Sequence, residues 1–462
     1  MKPSPTAQAE ALRALETPGC AACHAGALAE RRFVSAFEAE LYTEPIVLQE
    51  LRQSLGFCPR HSRLLLRRVE ASTVLRGPYA HVVSTVITQL GSGVTPGATR
   101  PCPACASRVG AEEGANWFIM RTLDTAAVSD AYRTGGGFCL PHAVKALSDA
   151  RPVPGRIVVD TMLERLQGSG VGVQLLYRLA GRDPEAGVRR TLRARLESVA
   201  KRLDSRLPGE PVTQRLTKAL GLDGCPVCLE AGLMEVRYLT WLGEEGRNRP
   251  RHLVSDGVHL CASHLHDLLL ADSEMGDRMG SLTRDRATWL LERFQDQVET
   301  SRHRGLLVLR TGRRSAWKVA HGALGHLLEC SLCTAKATSE QRTLKLLLAA
   351  LSDRSFRFNY SRSHGLCLRH LPAMASKDTS GLPYRVLSAR LRVLAWELDE
   401  AGRKSSWSNR HERNGDETTA WFRAPGLLDG WVFLGGPPRT QMSSLRDVLA
   451  AEPVDSAALE SL

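Results

Sequence analysis

Aromatic residues make up only 5% of this 462-residue chain, and lysine is scarcer still, with nine against 52 arginines. No run of 18 uninterrupted apolar residues occurs, which argues against a membrane-spanning helix. The alternating apolar–polar pattern of half-buried strands is also rare, so a sheet protein is not expected. Gly-x-Ser-x-Gly elbows, P-loops, dinucleotide-binding glycine fingerprints and His-Glu-x-x-His pairs are all missing, which removes the commonest hydrolase, nucleotide-binding and metalloprotease classes. The opening residues MKPSPTAQAEALRALE contain no apolar core of a secretory signal. A cytoplasmic, reducing compartment is therefore expected, one in which thiols stay free and a disulfide framework does not form.

No cysteine is left over either. All 12 fall into one pattern that occurs four times. Copy one is Cys20-Ala-Ala-Cys23 followed by Cys58-Pro-Arg-His61, and copy two is Cys102-Pro-Ala-Cys105 with Cys139-Leu-Pro-His142. Copy three is Cys225-Pro-Val-Cys228 with Cys261-Ala-Ser-His264, and copy four Cys330-Ser-Leu-Cys333 with Cys367-Leu-Arg-His370. The second and third cysteines are separated by 34, 33, 32 and 33 residues. Cysteine used merely as a small buried hydrophobe would show no such spacing.

Metal chemistry does explain it. Cys-x2-Cys brings two thiolates together from one tight turn, and Cys-x2-His places its side chains one helical turn apart on the same face. Three sulfurs and one nitrogen complete a four-coordinate shell with no position left for water, as in structural zinc sites. Pro103 and Pro226 suit the first turn of a helix, and Gly56, Gly137, Gly257 and Gly365 precede the third cysteines, where a loop must turn into a new helix. Copy three has a shifted glycine, and His259 competes there with His264, which keeps the register. The near-constant internal spacing leads to the expectation that each site is assembled within its own repeat.

Helical periodicity follows each motif. It covers Ala27–Leu41, Ser107–Leu123, Leu229–Leu242 and Ser339–Leu351, and again Tyr79–Leu90, Arg156–Leu166, Thr283–Val298 and Tyr384–Leu398. The expected fold is all-α: four helical repeats organised around Cys3His sites and paired into two lobes. The divisions are repeat 1 (1–91), repeat 2 (92–168), a helical insert (169–221), repeat 3 (222–302) and repeat 4 (303–404). A flexible linker (405–418) and a tail that docks on the body (419–462) follow.

The net charge of +12 comes with arginine clusters at Arg189-Arg190…Arg193…Arg195, Arg310…Arg313-Arg314 and Arg354…Arg357. Solvated helix faces account for these more simply than nucleic-acid binding, since few aromatics are interleaved to stack bases. Cys20-Ala-Ala-Cys23-His24 matches a haem c attachment motif, but haem c is attached outside the cytoplasm and His24 has no counterpart in the other copies.

With these four motifs, roughly residues 18–404 resemble a family of uncharacterised bacterial proteins built on Cys-[Pro/x]-x-Cys followed by Gly-[Phe/Leu]-Cys-x-x-His. The resemblance implies a domain type and a metal site, without an activity. The leading functional expectation is a metal-stabilised helical scaffold for a protein partner, not an enzyme, with about one zinc per repeat. Iron–sulfur clusters for electron transfer or redox sensing, a thiol switch that releases zinc on oxidation, and an Arg-rich nucleic-acid-binding surface are the alternatives.

Overall fold

The structure, a computed structural model, describes residues 4–168, 212–248, 258–303 and 329–430 except positions 69–70, 149–150, 223, 259, 272, 376–377 and 379. It also describes residues 175, 179, 196 and 197. Among the described residues there is no strand. The helices are α1 Pro5–Leu15, α2 Ala21–Ala39, α3 Pro45–Ser54, α4 Pro59–Leu66, α5 Ala71–Gly91, α6 Pro103–Thr122, α7 Ala126–Thr134, α8 Leu140–Leu147 and α9 Pro152–Gln167. They continue with α10 Val212–Leu220, α11 Pro226–Asn248, α12 Ala262–Ala271, α13 Ser273–His303, α14 Ser331–Ala350, α15 Arg354–Arg362, α16 Leu371–Ala375, α17 Leu382–Lys404 and α18 Ala420–Asp429. The all-α expectation holds, and Pro103 and Pro226 stand at the first position of α6 and α11. The arginine cluster at 189–195 lies outside the described residues, as does the tail beyond residue 430.

Two compact units form, and each takes segments from all four copies. The first comprises Met1–Glu30, Ser107–Arg193 and Glu235–Ala335; the second comprises Arg31–Ala106, Ala194–Met234 and Lys336–Leu462.

In the first unit α9 packs on α13, α1 on α7, and α8 on α9. Its core includes Ile119, Leu123, Tyr132, Phe138, Val158 and Leu166 from copy two with Met275, Met279 and Leu291 from copy three. Burying large apolar side chains of this kind contributes about 1.5–3 kcal/mol each before entropy is subtracted. Tyr132 meets Phe138 edge-on, with ring centroids 5.3 Å apart, and so props the loop that leads into Cys139.

In the second unit the long helices α5 and α17 form the main contact, flanked by α3, α4 and α18. Phe37, Phe57, Leu65, Tyr79 and Val83 are buried with Leu387, Leu391, Leu394 and Trp421. The tail helix α18 thus belongs to this core. Tyr79 is buried, but its hydroxyl meets Ser62 Oγ at 3.1 Å, which removes the roughly 1–3 kcal/mol cost of an unpaired polar group. A second cluster joins α10 to α15 through Leu216, Leu220, Phe356 and Tyr360. Arg354 and Arg357 lie on the exposed side of α15, opposite Phe356 and Tyr360, as a solvated helix face requires.

Candidate metal centres

Seven of the eight half-sites stand at a helix start, and Cys367–His370 lies in the turn that leads into α16. Cys23, Cys105, Cys228 and Cys333 lie in the first turns of α2, α6, α11 and α14. Cys58 and Cys139 cap α4 and α8 with extended backbone. Three of the four expected glycines turn the chain into the third cysteine with φ of 98° (Gly56), 57° (Gly137) and 75° (Gly365). Only glycine adopts such values without strain. Gly257 and His259 lie outside the described residues. Tyr360 Oη accepts the Leu366 N–H at 3.1 Å and fixes the loop immediately before Cys367.

The 16 expected ligands gather into four groups, each with its donor atoms within 4.8 Å of one another. The first site is Cys20, Cys23, Cys139 and His142; the second is Cys58, His61, Cys102 and Cys105. The third is Cys225, Cys228, Cys367 and His370; the fourth is Cys261, His264, Cys330 and Cys333. His24 is in none of them, and His264 keeps its place.

The expectation that each repeat builds its own site is overturned. Copies one and two exchange halves, so the Cys-x2-Cys of each meets the Cys-x2-His of the other, and copies three and four do the same. The constant spacing has a different physical origin. A reciprocal exchange closes only if both partners hold their two half-sites at the same separation, so it constrains the internal length as tightly as local closure would.

In all four sites the imidazole Nδ1 faces the sulfurs. Around His142 it lies 3.4 Å from Cys20 Sγ, 3.4 Å from Cys23 Sγ and 3.2 Å from Cys139 Sγ. Around His61 the distances are 3.2 Å to Cys58, 3.5 Å to Cys102 and 3.4 Å to Cys105. Around His370 they are 3.6 Å to Cys225, 3.4 Å to Cys228 and 3.3 Å to Cys367. Around His264 they are 3.4 Å to Cys261, 3.2 Å to Cys330 and 3.5 Å to Cys333. Sulfur–sulfur contacts run from 3.6 Å (Cys58–Cys105) to 3.9 Å (Cys228–Cys367 and Cys261–Cys333). One tetrahedral ion with ordinary zinc bond lengths sets its sulfurs about 3.8 Å apart and its nitrogen about 3.5 Å from each sulfur. The residues therefore fit a single ion.

The electrostatics ask for a cation. Hydrogen bonds from Cys105 and Cys58 hold the Cys102 thiol far below the usual range, and Cys102 and Cys58 in turn push Cys105 far above it. Cys330 and Cys333 behave alike in the fourth site, the one lowered and the other raised through Cys261. In each of these two sites one thiol is thus driven towards the thiolate and its neighbour away from it, a conflict that a positive ion relieves. Burial by itself would lower the imidazoles, but hydrogen bonds to thiolates and a carboxylate win. They push His142 up to about 9, and His264 and His370 up to about 12.

Sequence reading missed a set of carboxylates. Glu112 Oε2 lies 3.5 Å from His142 Nε2, Glu235 Oε1 lies 3.8 Å from His264 Nε2, and Glu340 Oε2 lies 3.8 Å from His370 Nε2. Each stands seven residues after the second cysteine of its copy, and Glu30, which is buried, holds that place in copy one. The signal was present as Cys-x2-Cys-x6-Glu, two helical turns, but glutamate on a helix is too common to attract notice without the contact. Arg369 sits 3.4 Å from Glu340, and Arg108 lies 2.7 Å from Glu112, so both carboxylates are charge-balanced. The facing His370 imidazole and the Arg369 charge hold the Glu340 carboxyl below its ordinary range against burial. In the fourth site Asp267 joins Glu235 and His264.

No protein-family model, curated protein or solved structure matches the chain.

Proposed function

We propose that this chain is a zinc-stapled helical scaffold whose four ions fix helix starts contributed by two copies each, leaving the helical surface to a protein partner. The observation that carries this reading is the ligand geometry: four closed Cys3His shells, each with donor separations suited to one tetrahedral ion. Iron–sulfur clusters fit less well, because several irons with bridging sulfide between the cysteines would drive these sulfurs well beyond the 3.6–3.9 Å seen in all four sites. A closed shell also leaves no coordination position for substrate or water, and every cysteine is engaged, so neither Lewis-acid hydrolysis nor thiol nucleophilic catalysis has a group to use. The scaffold reading draws further on the exposed Trp117, Trp289, Trp396 and Trp407, since amphipathic aromatics are favoured anchors at protein interfaces.

Metal analysis tests the proposal. Protein purified without oxygen should carry four zinc per chain, lack visible absorbance and contain no acid-labile sulfide. Brown protein with sulfide would replace zinc by clusters, and metal-free protein with native stability would remove the staple altogether.

A further inference from the structure

We infer that Glu112, Glu235 and Glu340 are positioning residues of the metal centres, each accepting the Nε2–H of a ligating histidine so that Nδ1 is presented to the ion. This rests on the metal reading above and goes beyond it, by adding a third element to the motif: Cys-x2-Cys-x6-Glu…Cys-x2-His.

Three observations converge. In every site it is Nδ1 that the three sulfurs surround, at 3.2–3.6 Å, which leaves Nε2 pointing away from the centre. A neutral imidazole that binds metal through Nδ1 carries its proton on Nε2, and that N–H needs an acceptor when buried. At His370 the need is plain: Nε2 is buried without a hydrogen-bond partner, and Glu340 Oε2 stands 3.8 Å away, one small side-chain movement from bonding. Finally, one spacing gives the same relation three times, with Glu112, Glu235 and Glu340 mostly shielded at 13%, 22% and 17% side-chain exposure. Solvated helix glutamates would show no such register.

The helices explain how the register works. Glu112, Glu235 and Glu340 lie two turns into α6, α11 and α14, the helices that open with Cys-x2-Cys. Those cysteines serve one site, while the carboxylate serves the histidine of its own copy, which belongs to another. Copies two, three and four therefore give their Cys-x2-Cys sulfurs to the partner copy's site and keep their own imidazoles oriented. An anionic acceptor also makes the imidazole a better donor to the metal, an effect typically worth ten- to a hundredfold in affinity.

The experiment uses the full chain loaded with zinc, with Glu340→Ala, Glu340→Gln and, as control, Glu113→Gln, whose exposed carboxylate holds Lys145 at 2.8 Å. Chelator competition should show one of four ions bound ten- to a hundredfold more weakly in Glu340→Ala, a smaller loss in Glu340→Gln, whose amide oxygen still accepts, and no change in the control. Nitrogen-15 spectra of the histidine rings supply a readout that a merely structural role would not move. His370 should be a slowly exchanging Nε2–H tautomer in the parent and exchange faster in Glu340→Ala. Equal affinity and equal exchange in Glu340→Ala, or metal on Nε2 in the parent, would overturn the inference. Fewer than four ions in the parent would instead sink the zinc reading itself.

Discussion

The third and fourth sites share one ligand set and differ in what covers them. In the third, Cys225 and Cys367 are fully buried, and Gly430, at the C-cap of α18, lies so close that an added Cβ would stand 2.2 Å from Cys367 Sγ and 2.6 Å from Cys228 Sγ. In the fourth, Cys333 is exposed and Cys261 half-buried. One donor set therefore lies largely covered in one place and approachable in another, although Cys228 of the third site is itself half-buried. The ligands set the coordination, and segments remote in sequence set the access.

The largest effect is expected at the seal. Gly430→Ala places a methyl group inside sulfur contact distance at a residue with φ of 76°, so both clash and backbone strain oppose it. It should abolish metal at the third site and cost roughly 3 kcal/mol or more, read by metal content and thermal unfolding, while the fourth site keeps its ion. A fully loaded, equally stable variant would show that the glycine does not seal that site.

Next comes the contrast in access. A thiol-alkylating reagent, added to the loaded protein without denaturant, should modify Cys333 first and release one equivalent of zinc before any other, as followed by peptide mapping and a zinc indicator. Release beginning at Cys367 would reverse the comparison. This is also the place where a thiol switch would act.

A smaller effect separates the empty from the filled centres by pH. In metal-free protein the raised His142 stabilises the fold fully below the unfolded value of about 6.5, and that contribution fades as pH climbs through about 9. In loaded protein the ligands must be deprotonated, so zinc uptake should release protons and stability should fall as pH falls. Opposite slopes for the two forms between about pH 6.5 and 9 are expected from melting curves; parallel slopes would disconnect the imidazoles from the metal.

Much of this was legible in the residues. The fourfold Cys-x2-Cys and Cys-x2-His pattern picked out all 16 residues that the fold gathers into four groups, and apolar periodicity located α5, α9, α13 and α17 to within a turn or two at one end. The motif glycines announced the left-handed turns before Cys58, Cys139 and Cys367. Ligand pairing was not legible, because local closure and reciprocal exchange impose the same constraint on internal length, and only the packing of neighbours chooses between them. The sealing of the third site was equally hidden. Gly430 lies far along the chain in a segment without motif, and its proximity to Cys367 comes from α18 docking against α5 and α17. Glu112, Glu235 and Glu340 were missed for a milder reason, a real register masked by a common residue.

Reciprocal exchange is the central claim, and metal stoichiometry of paired substitutions tests it directly. Cys23 and Cys139 share a site although they belong to different copies, whereas Cys23 and Cys58 belong to one copy and different sites. Cys23→Ser with Cys139→Ser should therefore lower bound zinc by one equivalent in total, and Cys23→Ser with Cys58→Ser by two. Two equivalents lost in the first pair and one in the second would mean that each repeat builds its own centre, and the exchange would be refuted.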